Sequence, residues 1–109
     1  MAVKPNPSRE AVRAVVPRMI ELSETVIYGD IWERPGLSKR DRSLVVLATL
    51  ISTYRPEQLR GHLARALDNG VTKDEIAEVI THLAFYSGWP ASMTAARIAK
   101  EVFEERGTG

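Results

Sequence analysis

Cysteine is absent from this chain of 109 residues. Disulfide bonds and thiolate metal ligands are therefore excluded, because both require the cysteine sulfur. Aromatic residues are scarce, at 6% of the chain, and there are only two histidines, His62 and His82. Few side chains are therefore available to move a proton near neutral pH, and the two histidines are the first candidates.

The sequence also lacks an excess of charge of one sign and long hydrophobic runs. Lys and Arg number 15 against 14 Asp and Glu, a net charge of +1 without a basic block, so we expect no nucleic-acid partner. No apolar run approaches the ~20 residues that a membrane span needs. The first residues, MAVKPNPSRE, contain no hydrophobic signal core. We expect no membrane association and a cytoplasmic location.

The remaining composition is that of a globular chain, with 44% hydrophobic and 27% charged residues. Its length predicts a single domain over residues 1–109, without room for a second core. Pro5 and Pro7 predict that residues 1–8 form an irregular segment ahead of the first helix.

Helical patterns cover most of the chain. Ser8 is expected to cap a helix from about Arg9 to Tyr28 that breaks at Pro17, and a loop over Gly29–Leu37 follows. Four later segments carry apolar residues at helical spacing, and none alternates with period two. The fold class is therefore all-α, with about five helices. The apolar positions are Leu44, Leu47, Ala48 and Ile51; Leu59, Leu63, Ala66 and Leu67; Ile76, Val79, Ile80 and Leu83; and Ala95, Ile98, Ala99, Val102 and Phe103.

Local signals predict where the later helices begin and end. Ser38 is expected to cap one helix, and Pro56 suits the first turn of the next. Asn69-Gly70 predicts the end of that helix. Thr72–Glu75 has the spacing of a capping box, and Gly88–Pro90 ends the helix that it begins.

Three stretches carry a family resemblance: Tyr28–Leu37 (YGDIWERPGL), Ser52–Leu63 (STYRPEQLRGHL) and His82–Pro90 (HLAFYSGWP). In this order they resemble the carboxymuconolactone decarboxylase family, over about residues 17–104. The resemblance implies a compact orthogonal helical bundle of the alkyl-hydroperoxidase-like type. It also implies a homo-oligomer, commonly a trimer or hexamer, with cofactor-free active sites near the subunit contacts.

The same resemblance argues against peroxidase activity. The superfamily includes thiol peroxidases, which carry two cysteines ahead of the motif histidine. The matching positions here are Arg55 and Gln58, neither of which forms a thiolate or a disulfide. Ser43 stands where those peroxidases have a proton-relay glutamate. The chain is therefore expected to belong with the members that are not thiol peroxidases.

His62 is the leading catalytic candidate. The resemblance places it at the histidine of the motif HL-x-x-AL-x-x-GV, one turn after Gln58. An imidazole moves a proton near neutral pH, which suits a reaction in which a carbanion is protonated. The alternative is a partly exposed or core histidine that is hydrogen-bonded to a neighbour.

His82 is the second catalytic candidate, and Tyr86 follows it by one helical turn. The pair suits proton or hydrogen-bond donation in a pocket, or a subunit contact without chemistry. The two histidines with Glu57 or Glu78 are conceivable metal ligands. Since there is no HExxH pair and the family decarboxylases are cofactor-free, we expect no metal and no other cofactor.

The remaining candidates bind substrate or assist His62. Glu57 is a possible catalytic carboxylate or a favourable charge at the helix start, and Gln58 is placed to orient His62 or a ligand. Arg34 and Arg55 are the expected carboxylate-binding residues, because a guanidinium matches a carboxylate. Two tryptophans are expected to wall an apolar pocket or to pack structurally: Trp32 and Trp89.

The family reaction implies a function. In it, 4-carboxymuconolactone, an intermediate of aromatic compound catabolism, loses carbon dioxide to give 3-oxoadipate enol-lactone. We therefore expect a decarboxylase acting on a small carboxylated lactone, with His62 as proton donor and His82 or Tyr86 as donor to the lactone oxygen. Two alternatives remain at this point. One is a related isomerase, lyase or lactone enzyme that uses the same histidine pocket, and the other is a non-catalytic oligomeric binding module.

Overall fold

Helices and turns make up the structure, a computed structural model that describes residues 7–107, and no β-strand occurs in that range. The predicted all-α class is confirmed. These residues contain six α-helices rather than about five, because the first predicted helix is divided in two. None of the described helices is long and apolar enough to cross a membrane.

The chain divides into two compact units, Met1–Lys39 and Arg40–Gly109. The single domain expected from the length stays a prediction. Residues 1–6 of the segment expected to be irregular lie outside the described residues, whereas Pro7 and Ser8 are the first two residues of a helix. The expected cap at Ser8 is therefore wrong, because Ser8 lies inside that helix.

The first unit begins with two short helices, α1 (Pro7–Arg13) and α2 (Pro17–Leu22). The predicted break at Pro17 is confirmed, since proline lacks the N–H that would continue a helix. The amides of Val15 and Val16 both donate to the carbonyl of Val12, at 2.9 and 2.8 Å, and so close α1 before the break.

A π-helical turn (Ser23–Ile27) extends α2, and a 3-10 turn (Ile31–Glu33) follows within the segment predicted to be a loop. Gly29 is required between them, because a Cβ at this position would lie 2.6 Å from the carbonyl oxygen of Thr25. Among residues 7–39, three large side chains are buried, and the rings of two of them, Tyr28 and Trp32, stack at 6.0 Å. The third is Ile20.

The second unit is built from four longer helices: α3 (Lys39–Ser52), α4 (Pro56–Asp68), α5 (Lys73–Tyr86) and α6 (Trp89–Glu105). Most of their predicted boundaries are confirmed, although Trp89 and Pro90, which were predicted to end α5, are the first two residues of α6. Ser38 immediately precedes α3, and Pro56 is the first residue of α4. The capping box at the start of α5 is complete: the Glu75 amide donates to the Thr72 hydroxyl at 3.1 Å, and the Thr72 amide donates to the Glu75 carboxylate at 2.9 Å.

The core of the second unit is formed where α6 packs against α4 and α5. The predicted apolar faces supply most of it, because each helix presents its apolar positions to the same interior. Ion pairs bind α6 to α4 at the surface: Arg60 pairs with Glu101 and Glu105, and Arg106 pairs with Asp68. The buried core residues are Leu47, Ile51, Leu59, Leu63, Ala66, Val71, Ile76, Ile80, Ala95, Ile98, Ala99, Val102 and Phe103.

Candidate functional site

A polar face runs along α4 and contains Gln58, His62, Arg65 and Asn69. The spacings of four, three and four residues place these side chains on one side of the helix. Gln58 is exposed at the start of the face, whereas the other three are partly buried. The polar face therefore passes from solvent at its beginning to a more enclosed setting at its end.

The enclosed end of the polar face contacts α3. The side-chain amide of Asn69 donates to the hydroxyl of Ser43 at 2.9 Å, and Ser43 is only 2% exposed. By the family resemblance, Ser43 stands where the thiol peroxidases have a proton-relay glutamate. Here it accepts a hydrogen bond that fixes the end of α4 against α3.

The backbone and the core together hold α4 in place. Pro56 begins the helix, and Gly70, with a φ of 96°, ends it in the left-handed region that glycine adopts without strain. Leu59 and Leu63 are fully enclosed by the core on the neighbouring side of the helix. His62 therefore lies at the border between this core and the polar face.

The imidazole of His62 is in an environment that disfavours its charge. Its Nδ1 atom is buried and has no hydrogen-bond partner among residues 7–107. Burial, and then the positive charge of Arg65, lower the pKa of His62 from 6.5 to about 4. In the free protein the side chain is therefore a neutral imidazole at neutral pH.

This lowered pKa predicts that acid destabilises the protein through His62. Between pH 6.5 and 4 the unfolded chain binds a proton at His62 that the folded chain does not bind. The free energy of unfolding should consequently fall as the pH decreases through this range, by about 1–2 kcal/mol between pH 7 and pH 5, a value reduced for partial exposure. Denaturant unfolding at the two pH values measures the difference.

The His62→Gln variant is the control for this prediction, because glutamine does not titrate. Hydrogen bonds from basic partners hold the pKa of Glu10, Glu24, Glu33 and Glu101 below 4.5, and these carboxylates are present in both proteins, so their contribution cancels in the comparison. An equal loss of stability in the variant would show that His62 is not the titrating group.

Three predicted site residues lie at the start of α4. Arg55 occupies the position just before the helix, where its side chain makes no capping hydrogen bond. Glu57 lies in the first turn, where a negative charge is favourable to the helix. Arg55, Glu57 and Gln58 are all exposed. Gln58 is the one that shares the polar face with His62.

His82 lies on α5, at an open cleft of about 380 Å³. The cleft falls in the size range of small-molecule sites, roughly 300–1,000 Å³. The predicted partnership with Tyr86 is present, with the two ring centres 4.9 Å apart. No hydrogen bond or ring contact joins His82 to His62 within the described part of the chain. The cleft is lined by Leu44 and Ala48 of α3 and by Glu78, Val79, His82 and Leu83 of α5.

Trp89 and Tyr86 are prominent on the surface, with 60% and 79% of each residue exposed. Trp89 begins α6, meets Phe85 edge to face at 5.8 Å, and lines a separate apolar groove of about 150 Å³ between α5 and α6. Tyr86 contacts His82, whereas Trp89 belongs to this groove.

The other two predicted residues belong to the first unit. Trp32 is buried there against Tyr28, and Arg34 follows the 3-10 turn as an exposed side chain. Packing within the first unit therefore accounts for the burial of Trp32.

Two residues of the polar face were not predicted from the sequence to be site residues. Arg65 and Asn69 fall three and seven residues after His62, a spacing that places them on its side of the helix. That spacing was a signal in the sequence from which both residues could have been assigned to the same helix face as His62. Within residues 7–107, no group of three or more histidine, aspartate or glutamate side chains is arranged to hold a metal ion.

Comparison with known proteins gives one family. The model of the carboxymuconolactone decarboxylase family matches residues 17–101. This range includes the polar face of α4, the cleft at His82 and the three motif stretches.

Three individual relatives are similar to this chain over most of its length. A 4-carboxymuconolactone decarboxylase of Acinetobacter baylyi is 48% identical over 80 residues, which are 73% of this chain and 60% of the relative. A nitrosuccinic acid decarboxylase of Metarhizium robertsii is 34% identical over 85 residues, 78% of this chain and 59% of the relative. An uncharacterised 15.0 kDa protein of Paracoccus denitrificans is 32% identical over 97 residues, 87% of this chain and 72% of the relative. The chain thus spans about 60% of the length of the two decarboxylases.

Proposed function

Because this chain belongs to the carboxymuconolactone decarboxylase family, we propose that it is a cofactor-free decarboxylase of a small carboxylated lactone of the 4-carboxymuconolactone type. The observation that supports the proposal most is the partly buried His62 on the polar face of α4, with a buried and unpartnered Nδ1. A side chain that can bind or release a proton at an enclosed site suits a reaction that ends in protonation of carbon.

In the proposed reaction the bond between carbon and the leaving carboxylate breaks, and carbon dioxide departs. The bonding electrons pass into the unsaturated lactone and form a dienolate. His62 then transfers its proton to carbon and becomes neutral, giving the enol-lactone. Each turnover therefore consumes one proton, which His62 regains from water.

His62 must be charged before it can act as this acid, although it is neutral in the free protein. A bound carboxylate resolves the difficulty, because a nearby negative charge favours the imidazolium and raises the pKa of His62 from its value of about 4. The substrate would thus bring about the protonation that the reaction needs. Gln58, one turn before His62, is placed to orient the ring or the ligand, and the exposed Arg55 is placed to meet a second carboxylate.

A second substrate class is favoured by the relative named a nitrosuccinic acid decarboxylase. Nitrosuccinic acid is an open-chain dicarboxylic acid in which the nitro group accepts the electrons left by carbon dioxide. It shares with the lactone a leaving carboxylate next to an electron-accepting group. The same histidine acid therefore suits both substrates, and only the shape of the site distinguishes them.

A substrate panel tests the proposed function. The purified chain is mixed separately with 4-carboxymuconolactone, with nitrosuccinic acid and with an alkyl hydroperoxide under thiol-regenerating conditions, and carbon dioxide release or peroxide loss is followed. We expect carbon dioxide from at least one of the acids and no peroxide turnover, since the chain has no cysteine. A folded protein that releases no carbon dioxide from either acid would refute the proposal.

We also propose that the protein is a homo-oligomer, a trimer or a hexamer, as its family implies. Four exposed apolar side chains lie together where α5 ends and α6 begins, a surface typical of protein contacts. Sedimentation should show a multiple of the 12.1 kDa chain, and a stable monomer at micromolar concentration would contradict the proposal. Phe85→Lys should weaken the assembly, whereas Ala77→Lys, an exposed change on the same helix, should not. The four side chains are Phe85, Tyr86, Trp89 and Met93.

A further inference from the structure

Arg65 is the positively charged neighbour of His62 on the polar face. It follows His62 by three residues on α4, and side chains at this spacing lie about 5–6 Å apart at Cβ. Both residues are partly buried. Burial is the larger cause of the lowered pKa of His62, and the positive charge of Arg65 adds to it.

The other arginines of α4 and its start are placed differently. Arg60 pairs with Glu101 and Glu105 of α6, and this network holds it on the side of α4 that faces α6. Arg55 precedes the helix and is exposed. Arg65 is therefore the arginine that shares both the face and the partial burial of His62.

We propose that Arg65 binds a carboxylate of the substrate beside His62, and that it thereby selects anionic substrates for this site. The inference rests on the proposed function and adds the residue that recognises the acid. A guanidinium donates two parallel hydrogen bonds to a carboxylate, and partial burial strengthens the charge attraction relative to open solvent.

The bound carboxylate would also change the electrostatics at His62. In the free protein, the positive charge of Arg65 opposes a second positive charge on the imidazole. A carboxylate held by Arg65 offsets that charge and lies next to His62, so the imidazolium becomes favourable when substrate is bound. Substrate recognition and loading of the catalytic proton would then depend on the same side chain.

A structural role for Arg65 is the competing explanation, because it lies in the last turn of α4, where a positive charge stabilises a helix. Such a role predicts a lower melting temperature on removal of the charge, without a specific loss of carboxylate binding. Arg65→Gln removes the charge, and Arg65→Lys keeps the charge without the guanidinium fork. Arg97→Gln, an exposed change on α6, is the matched control.

Succinate, an unreactive dicarboxylate, is the probe for the binding experiment. Its affinity is measured by NMR from the ring signals of His62 in the unaltered protein and in the three variants. We expect Arg65→Gln to weaken succinate binding about 10- to 100-fold, as for loss of a hydrogen bond between charged groups. Arg65→Lys should weaken it less, and Arg97→Gln should leave it unchanged.

Two results would overturn the assignment of Arg65. One is an unaltered protein in which succinate does not affect His62, and the other is an Arg65→Gln variant that binds succinate normally, whatever its melting temperature. The decarboxylation assay is independent of this experiment. Arg65-dependent succinate binding without release of carbon dioxide from any acid would refute the proposed function and leave the carboxylate site standing.

Discussion

Replacement of His62 by glutamine is expected to lower the rate of decarboxylation by about 10²–10⁴-fold, the usual contribution of a general acid. Glutamine retains hydrogen-bonding groups of similar reach but does not deliver a proton to carbon. The core should tolerate the change, because Leu59, Leu63 and Ala66 supply the buried side of α4. Steady-state kinetics with the substrate that the panel identifies measure the loss, with the melting temperature and the oligomer size checked in parallel.

His82→Gln is the matched control, since it makes the same replacement at the other histidine. His82 is exposed at the cleft on α5, and the proposed mechanism assigns the carbon acid to His62. We expect His82→Gln to have a much smaller effect on the rate. If His62→Gln keeps full activity, or loses activity only because the protein no longer assembles, the acid role of His62 is wrong. A large loss confined to His82→Gln would transfer that role to His82.

Replacement of Leu63 by alanine is expected to cost about 2–5 kcal/mol of the free energy of unfolding. Leu63 follows His62 directly, is 0% exposed, and lies in the core where α4 meets α6. The loss combines the transfer free energy of the missing methyl groups with the cavity that they leave. Because folded proteins of this size are stable by about 5–15 kcal/mol, such a loss is a large fraction of the total.

Denaturant unfolding at one fixed protein concentration measures this loss, since oligomer formation would make the apparent stability depend on concentration. Leu37→Ala is the control with the same chemical change at a residue that is 46% exposed. It should cost less than about 0.5 kcal/mol. A loss below about 1 kcal/mol for Leu63→Ala would mean that α4 is not packed as the structure describes, and that the placement of His62 needs revision.

Helix boundaries in the second unit were predictable because their signals are local. Pro56, the Thr72–Glu75 capping box and Gly70 each act on the backbone within one turn, and each has the expected place in the structure. In the first unit, Pro17 likewise predicted the break between α1 and α2. The π-helical turn that follows was not predictable, because its wider hydrogen bonds, such as that from the Tyr28 amide to the Ser23 carbonyl, leave no signal in the spacing of apolar residues.

The place of His62 on its helix was predictable from the sequence, but its burial was not. Sequence spacing placed His62 on one helix face with Gln58, whereas its partial enclosure depends on how α4 meets the rest of the unit. The hydrogen bond between Asn69 and Ser43 joins α4 to α3. The sequence does not indicate it, because the two residues are far apart in the chain. Arg65 lies outside the three motif stretches, which contain Arg34 and Arg55, so the resemblance does not point to it.

The most direct test of the central claim follows the proton itself. Decarboxylation of 4-carboxymuconolactone by the unaltered protein in D₂O should release one carbon dioxide for each 3-oxoadipate enol-lactone formed. The product should carry one deuterium, added to a single face of the carbon, because an acid fixed on α4 reaches that carbon from one side. The residual product of the His62→Gln variant should lose this facial preference. No release of carbon dioxide, or deuterium added equally to both faces by the unaltered protein, would contradict a decarboxylase in which His62 is the proton donor.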